Sequence, residues 1–175
     1  MTCVRYEIDG WGSSELCADG RRVVWHELPR PEPPHPHPGW GAVPPPTPAT
    51  VAGNGAPHGG DFVPNLIARL RRYFAGEEVG FADVELDLEE LTPFGRELAH
   101  TLRKVPRGEV VTYGELAALA GHPNAQRAAG TFCAHNRFPV VVPCHRVVAA
   151  GGIGSYGSHG SEYKRRLLAL EDVAL

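Results

Sequence analysis

The sequence predicts an α+β protein built from two modules, a small β-sheet with one helix over residues 1–91 and a mostly helical domain over residues 92–175. Near the start, short segments of alternating apolar and polar residues are separated by Asp-Gly turns at 9–10 and 19–20, which is typical of a β-meander. In the second half, apolar residues recur at helical spacing instead. This change of periodicity divides the chain into its two modules.

The N-terminal module is expected to contain three strands, a long loop and a helix. Strands are predicted at 3–8, 15–17 and 22–26. Twelve of the 17 prolines fall within 29–64, so this segment is expected to be a loop, because proline continues neither a helix nor a sheet ladder. The helix that follows starts near residue 65 and carries an apolar stripe of Leu66, Ile67, Leu70 and Phe74.

Two short helices joined by a tight turn form a helix-turn-helix pattern in the C-terminal domain. A helix capped by Thr92 precedes them. The capping box from Thr112 to Glu115 opens one short helix that Gly121 ends, and a second helix runs from Ala125 to about His135. Many helical hairpins never touch DNA, so this pattern alone is a weak sign of DNA binding.

The last part of the chain combines a valine run, a glycine-rich loop and a closing helix. The three valines of 140–142 lie between two prolines and are predicted to form a short, buried, extended segment. Glycines from 151 to 157 then mark a tightly turning loop. Glu162–Leu170 is predicted to be a helix with its leucines inward and its basic residues mostly outward; these are Lys164, Arg165 and Arg166.

Charge is divided unevenly between the two modules, although the formal net charge is only −3. Residues 1–91 carry 7 Lys/Arg and 14 Asp/Glu, a net of −7, whereas residues 92–175 carry 10 and 6, a net of +4. A positive second half suits an anionic partner such as DNA. An imbalance of this size also arises by chance, so charge alone does not decide the function.

The N-terminus and the cysteines indicate an intracellular, cytoplasmic protein. Residues 1–7 lack the pattern of a secretory signal, and no apolar run reaches the roughly 18 residues of a transmembrane helix. In a reducing compartment the four cysteines (Cys3, Cys17, Cys133 and Cys144) are expected to stay free. No Cys-x-x-Cys pair is present, so at least one cysteine is a candidate working thiol.

The sharpest local feature is the segment Pro143–Val147, in which Cys144 stands next to His145. Only a few per cent of a free thiol is ionised at neutral pH, and an imidazole that accepts its proton raises the reactive fraction. Glu171 on the last helix is a candidate to hold the other ring nitrogen. Taken alone, an adjacent Cys-His pair is more often a buried structural cysteine beside a partly exposed histidine.

This segment resembles the active-site signature of the O6-alkylguanine-DNA alkyltransferases, also called methylated-DNA–protein-cysteine methyltransferases. The similarity extends in order and spacing from about Leu66 to Glu171. Its further elements are Tyr73-Phe74-Ala75-Gly76, Thr92-Pro93-Phe94, Pro106-x-Gly108, Thr112-Tyr113-x-x-Leu116-Ala117, Arg127-Ala128-x-Gly130 and Asn136. The resemblance implies a ribonuclease-H-like N-terminal module, a helix-turn-helix C-terminal domain and repair of alkylated guanine in duplex DNA.

The resemblance implies a role for each catalytic residue. Cys144 would be the nucleophile that keeps the alkyl group, with His145 as a water-mediated base oriented by Glu171. Asn136 would be a hinge residue that ties the helix-turn-helix to the active-site segment. Tyr113 would donate a hydrogen bond to the flipped guanine. Because a thioether has no easy route back, each molecule would repair one lesion.

The resemblance also implies how a monomer of this chain would hold double-stranded DNA containing O6-alkylguanine. Arg127 would enter the duplex and fill the space left by the extruded nucleotide. Small residues on the same helix would approach the minor groove, unless they pack against the neighbouring helix instead. These residues are Ala125, Ala128, Ala129 and Gly130. The guanine pocket would be lined by Tyr156, Gly157, Ser158, Pro139 and Val147.

No cofactor is expected. A hairpin centred on Gly10 would place Cys3 opposite Cys17, with His26 as a third zinc ligand, but no fourth ligand is evident. Two half-buried thiols are therefore expected in place of a structural zinc site.

Three features depart from the family pattern. Arg137 stands where proline is usual, close to the wall of the active site, and residues 157–161 lack the usual paired glycines. His100 also stands where a large apolar residue is common. Because the 157–161 loop borders the alkyl pocket, substrate range is the property expected to differ. Two other functions remain open. A non-catalytic lesion sensor would not need Cys144, and a Cys-His hydrolase would turn over repeatedly without DNA.

Overall fold

The computed structural model describes residues 1–31 and 61–175, so most of the predicted proline-rich loop lies outside the described residues. The described residues form an α+β structure with a four-stranded sheet, a two-stranded sheet and five α-helices. None of these helices is long and apolar enough to cross a membrane. The predicted fold class is therefore correct at the level of mixed α and β structure.

The larger sheet has the strand order β1-β2-β3-β4. Its strands are β1 (Thr2–Ile8), β2 (Gly12–Asp19), β3 (Arg22–His26) and β4 (Glu85–Leu86). The first three strands form the predicted antiparallel meander. β4 pairs with β3 in parallel, so the segment before the C-terminal domain returns to the sheet.

A close backbone contact holds the start of β2 against Arg30. Ser13 and Arg30 exchange two backbone hydrogen bonds, of 2.8 and 2.9 Å. At the neighbouring Gly12, φ is +101° and an added Cβ would lie 1.9 Å from the Arg30 carbonyl oxygen. Only glycine fits here, because a side chain would collide with the backbone and the left-handed φ disfavours one.

Helix α1 (Phe62–Phe74) begins before the predicted position, so residues 62–64 belong to the helix rather than to the loop. Pro64 lies in the first turn, where a missing N–H breaks no helical hydrogen bond. The helix packs an apolar face into the core. Its buried residues are Leu66, Ile67, Leu70, Tyr73 and Phe74.

Residues 92–175 contain four of the five α-helices in the described part of the chain and two short strands. Their elements are α2 (Pro93–Leu102), β5 (Val111–Thr112), α3 (Tyr113–Leu119), α4 (Gln126–Ala134), β6 (Val147–Val148) and α5 (Gly160–Leu170). Thr92 caps α2 by accepting from Gly95 N at 3.1 Å. Both hydrogen bonds of the capping box between Thr112 and Glu115 are formed at the start of α3.

The valine run before Cys144 is buried as predicted, but it is a turn rather than an extended segment. Val140 has φ +73°, and the amide of Val142 donates to the carbonyl of Phe138 at 2.7 Å. The side chain of Asn136 stabilises this turn by donating to Val142 O at 2.8 Å and accepting from Phe138 N at 3.0 Å. The prediction missed these side-chain contacts, which favour a turn over an extended chain.

The expectation that all four cysteines are free is wrong for two of them. Cys3 and Cys17 are directly opposite each other on β1 and β2, with their Cα atoms 4.0 Å apart, and their sulfurs form a disulfide. The predicted hairpin register is therefore correct, whereas the predicted pair of thiols is not. Cys133 and Cys144 are free.

Candidate active site

Cys144 opens a short 3-10 turn, Cys144–Arg146, directly after the valine turn. Its amide donates to Val142 O at 2.8 Å, which fixes the backbone at the nucleophile. Only 5% of the residue is exposed. Its Sγ lies 3.6 Å from the hydroxyl of Tyr156, so the sulfur contacts a residue predicted to line the guanine pocket.

His145 is fully buried and is held by the carboxylate at the end of α5. Its Nε2 lies 2.8 Å from Oε1 of Glu171. Arg146 donates two hydrogen bonds to the same carboxylate, at 2.8 and 2.9 Å, and a third to Val105 O at 2.6 Å. Donors from His145 and Arg146 thus engage both oxygens of the Glu171 carboxylate. Two of the predicted residues, His145 and Glu171, are in direct contact, and Cys144 precedes His145 in the same 3-10 turn.

A hydroxyl from the N-terminal module completes this cluster. Tyr73, on α1, is 2% exposed, and its oxygen lies 3.1 Å from Nε2 of His145 and 2.8 Å from Oε1 of Glu171. Nδ1 of His145 is buried and has no hydrogen-bond partner among the described residues. The imidazole is therefore fixed at one nitrogen and unengaged at the other.

Burial leaves both reacting groups uncharged before reaction. Burial raises the pKa of the Cys144 thiol, although hydrogen bonds from Asn136 and Tyr156 act in the opposite direction. Burial also lowers the pKa of His145, against the influence of Glu171. The site therefore presents a neutral thiol beside a neutral imidazole that is able to accept its proton.

Glu171 is the charged member of the cluster. Burial acts to raise the pKa of its carboxyl, but hydrogen bonds from His145 and Arg146 outweigh burial and hold that pKa far below its usual value. An ionised carboxylate at this position orients the imidazole and stabilises the positive charge it gains when it takes a proton.

Lys164 on α5 faces inward, against the prediction that it points mostly outward. Its side chain is fully buried, and Nζ donates to Val147 O at 2.5 Å and Ser155 O at 3.4 Å. The ammonium also lies 5.8 Å from the ring centres of Tyr113 and Tyr156. Lys164 therefore joins the active-site segment to the pocket loop.

The helix-turn-helix presents only part of its predicted DNA-binding set to solvent. Arg127 and Ala128 on α4 are exposed, and Ala125 and Gly130 are half-buried. Ala129 is fully buried in the core, so its predicted contact with the groove is wrong. A helix of nine residues that packs on α3 turns one of its small residues inward.

Tyr113, at the start of α3, connects this helix pair to the active site. Its ring lies 3.9 Å from the position of a Cβ added at Gly130 and 3.7 Å from one added at Gly154. Burial raises the pKa of its hydroxyl, so this group stays protonated and able to donate. Tyr113 thus stands between α4 and the pocket loop.

The predicted pocket residues lie in two segments, 139–147 and 156–158. His26 contacts the first segment and Arg30 contacts the second. Pro139 and Val147 are buried, whereas Gly157 and Ser158 are exposed. Arg30 donates to Ser158 Oγ at 3.3 Å and to His159 Nε2 at 3.2 Å. The loop that departs from the family pattern is therefore held by the N-terminal module.

Arg137, the residue that replaces a usual proline, is anchored rather than free. Its guanidinium forms an ion pair with Glu90, and its carbonyl accepts from the amide of His26 at 2.9 Å. Both contacts tie the wall of the site to the N-terminal module.

The three residues considered as zinc ligands, Cys3, Cys17 and His26, do not come together in the described part of the chain. Among the described residues, Cys3, Glu15 and Cys17 bring their ligand atoms within 4.8 Å of one another. The two sulfurs are bonded to each other, however, and so are not thiolate ligands. His26 lies elsewhere, with Nδ1 2.9 Å from Pro139 O and Nε2 2.9 Å from the hydroxyl of Tyr6.

Sequence reasoning missed Tyr73 and Lys164 as parts of the site, although a signal for each was present. Tyr73 stands seven residues after Leu66, on the apolar face of α1, and a buried tyrosine hydroxyl needs a partner. Lys164 precedes the buried Leu167 and Leu168 by three and four residues, so it shares their helix face. Neither signal identifies the partner.

Comparisons with known proteins point to one family. The model of the "6-O-methylguanine DNA methyltransferase, DNA binding domain" family matches residues 93–173. A methylated-DNA–protein-cysteine methyltransferase of Methanopyrus kandleri is 43% identical over 125 residues, which cover 70% of this chain and 92% of the relative. One from Mycobacterium tuberculosis is 45% identical over 106 residues, covering 60% and 62%.

Solved structures give the same result. The crystal structure of Mycobacterium tuberculosis OGT in complex with DNA superposes with a TM-score of 0.74 at 32% identity, over 98% of this chain and 93% of that one. The similarity therefore covers both the sheet module and the helical domain.

Proposed function

Since this chain belongs to the methylated-DNA–protein-cysteine methyltransferase family, we propose that it repairs DNA by moving the alkyl group of O6-alkylguanine onto the sulfur of Cys144. The observation that carries the proposal is the buried network in which Glu171 holds Nε2 of His145, next to Cys144, while Nδ1 stays unengaged. Such a network activates a thiol that would otherwise be neutral.

The proposed reaction is an in-line displacement. The proton of Cys144 passes through a water to Nδ1 of His145, and the thiolate attacks the alkyl carbon. The bond from that carbon to guanine O6 breaks, and its electron pair leaves with the base, where a hydrogen bond from the Tyr113 hydroxyl stabilises the developing charge. The product is a thioether on Cys144, so one molecule repairs one lesion and no cofactor is needed.

Nucleotide flipping is part of this proposal, because the alkylated oxygen lies inside the duplex and Cys144 is almost completely buried. The exposed Arg127 on α4 is placed to fill the space that the nucleotide leaves. Ala128 and Gly130, both small, allow α4 to approach the minor groove. The extruded base would enter beneath Tyr156, beside the glycine-rich loop. Because its substrate is genomic DNA, we place the protein inside the cell.

A finer assignment of the two modules is also proposed. Residues 1–91 would form a ribonuclease-H-like module, which the four-stranded sheet and α1 support, and residues 92–175 the DNA-binding and alkyl-transfer domain. The match of the family model from residue 93 supports this boundary. Asn136, whose side chain is hydrogen-bonded to the backbone of Val142 and Phe138, would act as the hinge between α4 and the active-site turn.

The central test is a transfer assay with intact-protein mass spectrometry. After incubation with a duplex oligonucleotide that carries O6-methylguanine, the protein is expected to gain the mass of one methyl group on Cys144, also when a chelator is present. The Cys144→Ala variant should gain nothing, whereas Cys133→Ala, which removes the other free cysteine, should behave as the wild type. Label on the Cys144→Ala variant, or repeated turnover, would contradict the proposal.

A second test separates DNA handling from chemistry. Arg127→Ala is expected to slow repair of duplex DNA by about tenfold or more, since filling the gap offsets part of the few kcal/mol that flipping costs. Reaction with free O6-benzylguanine should change little. Equal losses on both substrates would contradict the role of Arg127.

A further inference from the structure

We propose that Tyr73, a residue of the N-terminal module, is a positioning residue that keeps the proton of His145 on Nε2 and so leaves Nδ1 as the base. This inference deepens the proposed function and rests on it. Its basis is the place of the Tyr73 hydroxyl, 3.1 Å from Nε2 of His145 and 2.8 Å from Oε1 of Glu171.

The proton positions follow from the donors and acceptors present. An ionised carboxylate only accepts hydrogen bonds, so the Nε2 atom that lies 2.8 Å from Glu171 Oε1 must carry a proton. The single proton of the Tyr73 hydroxyl goes to the same carboxylate oxygen, 2.8 Å away. The hydroxyl oxygen is then left to accept from Nε2–H of His145.

Nε2–H therefore has two acceptors, one from each module. If the proton moved to Nδ1, Nε2 would face the Glu171 carboxylate with a lone pair and the hydrogen bond would become a repulsion. Tyr73, His145 and Glu171 are all at most 2% exposed, so water does not replace a lost partner. The low local polarity strengthens the preference.

Arg146 makes the role of Tyr73 separable from that of the carboxylate. Its guanidinium donates to both oxygens of Glu171, at 2.8 and 2.9 Å. In the described part of the chain it makes no hydrogen bond to Tyr73. Glu171 thus stays ionised when the hydroxyl of Tyr73 is removed. What is lost is one of the two acceptors that hold the imidazole.

The loss has a defined effect on the reaction. When Nδ1 takes the proton of Cys144, His145 becomes positively charged and its Nε2–H binds both acceptors more strongly. Without the Tyr73 oxygen, the imidazolium is less stable and His145 is a weaker base. The thiolate of Cys144 then forms only at higher pH.

Tyr73→Phe is the variant that tests this proposal. Methyl transfer from the oligonucleotide and alkylation of Cys144 by iodoacetamide are measured as functions of pH. At neutral pH both rates are expected to fall about tenfold, the size of one lost hydrogen bond to a charged group. The deficit should shrink as the pH rises towards that of full thiol ionisation. A deficit of the same factor at every pH, or no deficit, would overturn the proposal.

Tyr6→Phe is the matched control. Tyr6 is also a buried tyrosine of the N-terminal module, and its hydroxyl lies 2.9 Å from Nε2 of another histidine, His26. Removing this hydroxyl should leave the pH profile of Cys144 unchanged. An equal shift in both variants would show that the effect comes from the module's general stability and would overturn the role of Tyr73.

Nitrogen NMR of the wild-type imidazole gives a readout that does not depend on how the variant folds. The Nε2-protonated form of His145 is expected to dominate in the wild type. An Nδ1 proton in the wild type would overturn the proposal.

The two assays, methyl transfer and alkylation by iodoacetamide, also test the role of Tyr73 separately from the repair function. Iodoacetamide needs neither DNA nor guanine. A Tyr73-dependent pH profile in a protein that takes no methyl group from DNA would reject the repair function and support the role of Tyr73. If the wild type takes the methyl group from DNA but the deficit of Tyr73→Phe is the same at every pH, the repair function would be supported and the role of Tyr73 rejected.

Discussion

Two buried tyrosine–histidine pairs, Tyr6–His26 and Tyr73–His145, have similar distances between the hydroxyl and Nε2. They differ in which ring nitrogen of the histidine carries the proton. In the first, Nδ1 of His26 donates to Pro139 O and Nε2 accepts from Tyr6. In the second, the carboxylate of Glu171 requires the proton on Nε2. Both nitrogens of His26 are engaged, whereas His145 keeps Nδ1 unengaged.

The difference shows that the partner, not burial, decides what a buried histidine does. Burial lowers the pKa of both imidazoles. A backbone carbonyl offers His26 no charge, so this ring stays neutral and joins β3 to the wall of the site. An ionised carboxylate beside His145 stabilises the protonated form that the reaction needs.

The largest expected effect is that of Glu171→Gln, which removes the feature that distinguishes the two pairs. The guanidinium of Arg146 would lose its counter-charge in a buried site, so the free energy of unfolding should fall by about 3–5 kcal/mol. Methyl transfer should slow by about 100-fold, because His145, the proposed base, would lose the carboxylate that stabilises its protonated form. Urea unfolding and the oligonucleotide assay measure the two effects. A methyl-transfer rate of Glu171→Gln within a few-fold of the wild-type rate would show that the carboxylate is not what distinguishes His145 from His26.

The next effect concerns pH and His26. Burial lowers the pKa of His26 from 6.5 to about 4, so the unfolded chain takes up a proton there before the folded chain does. Stability is therefore lost as the pH falls from about 6.5 to about 4, by up to about 3 kcal/mol for this group. His26→Gln should be less stable at pH 7 but should show a flatter decline over this range.

Unfolding free energies of both proteins from pH 7.5 to pH 4 check this prediction. The rate of methyl transfer at pH 7.5 should change little in His26→Gln. An unchanged slope in the variant would mean that other groups, such as His145, account for the acid sensitivity.

The smallest effect is expected for Tyr6→Phe. One buried hydrogen bond to a neutral group is lost, which costs about 1 kcal/mol. The hydroxyl of Ser14 lies 3.4 Å from Nε2 of His26 but already donates its proton to Glu27 O at 2.6 Å, so it does not replace the lost bond. Thermal unfolding measures the loss. A loss much larger than that of Tyr73→Phe would show that the first pair, rather than the second, depends on its tyrosine.

Local patterns predicted the elements well, since their causes are local. The Asp-Gly turns place Cys3 opposite Cys17, and the residue types of the capping box fix the start of α3. The disulfide was not predicted, because a reducing compartment favours free thiols even where a hairpin brings two cysteines together. The turn at Val140 was missed because it depends on the side chain of Asn136.

The candidate site was predictable only in part. Cys144 and His145 are adjacent in sequence, and the resemblance supplied Glu171. Tyr73 lies 72 residues before His145, and no spacing rule connects them. A buried lysine without an acidic partner is rare, so Lys164 was expected to face solvent. Carbonyls of Val147 and Ser155, whose direction depends on the folded loop, make its burial favourable.

The close fit at Gly12 has a consequence far from where it occurs. The backbone of Arg30 lies close to this residue, and the side chain of Arg30 donates hydrogen bonds to Ser158 and His159. A methyl group added at position 12 would collide with the Arg30 backbone and displace it, and the loop that its side chain holds would move with it. A substitution in the first hairpin would thus reach a loop near the other end of the chain.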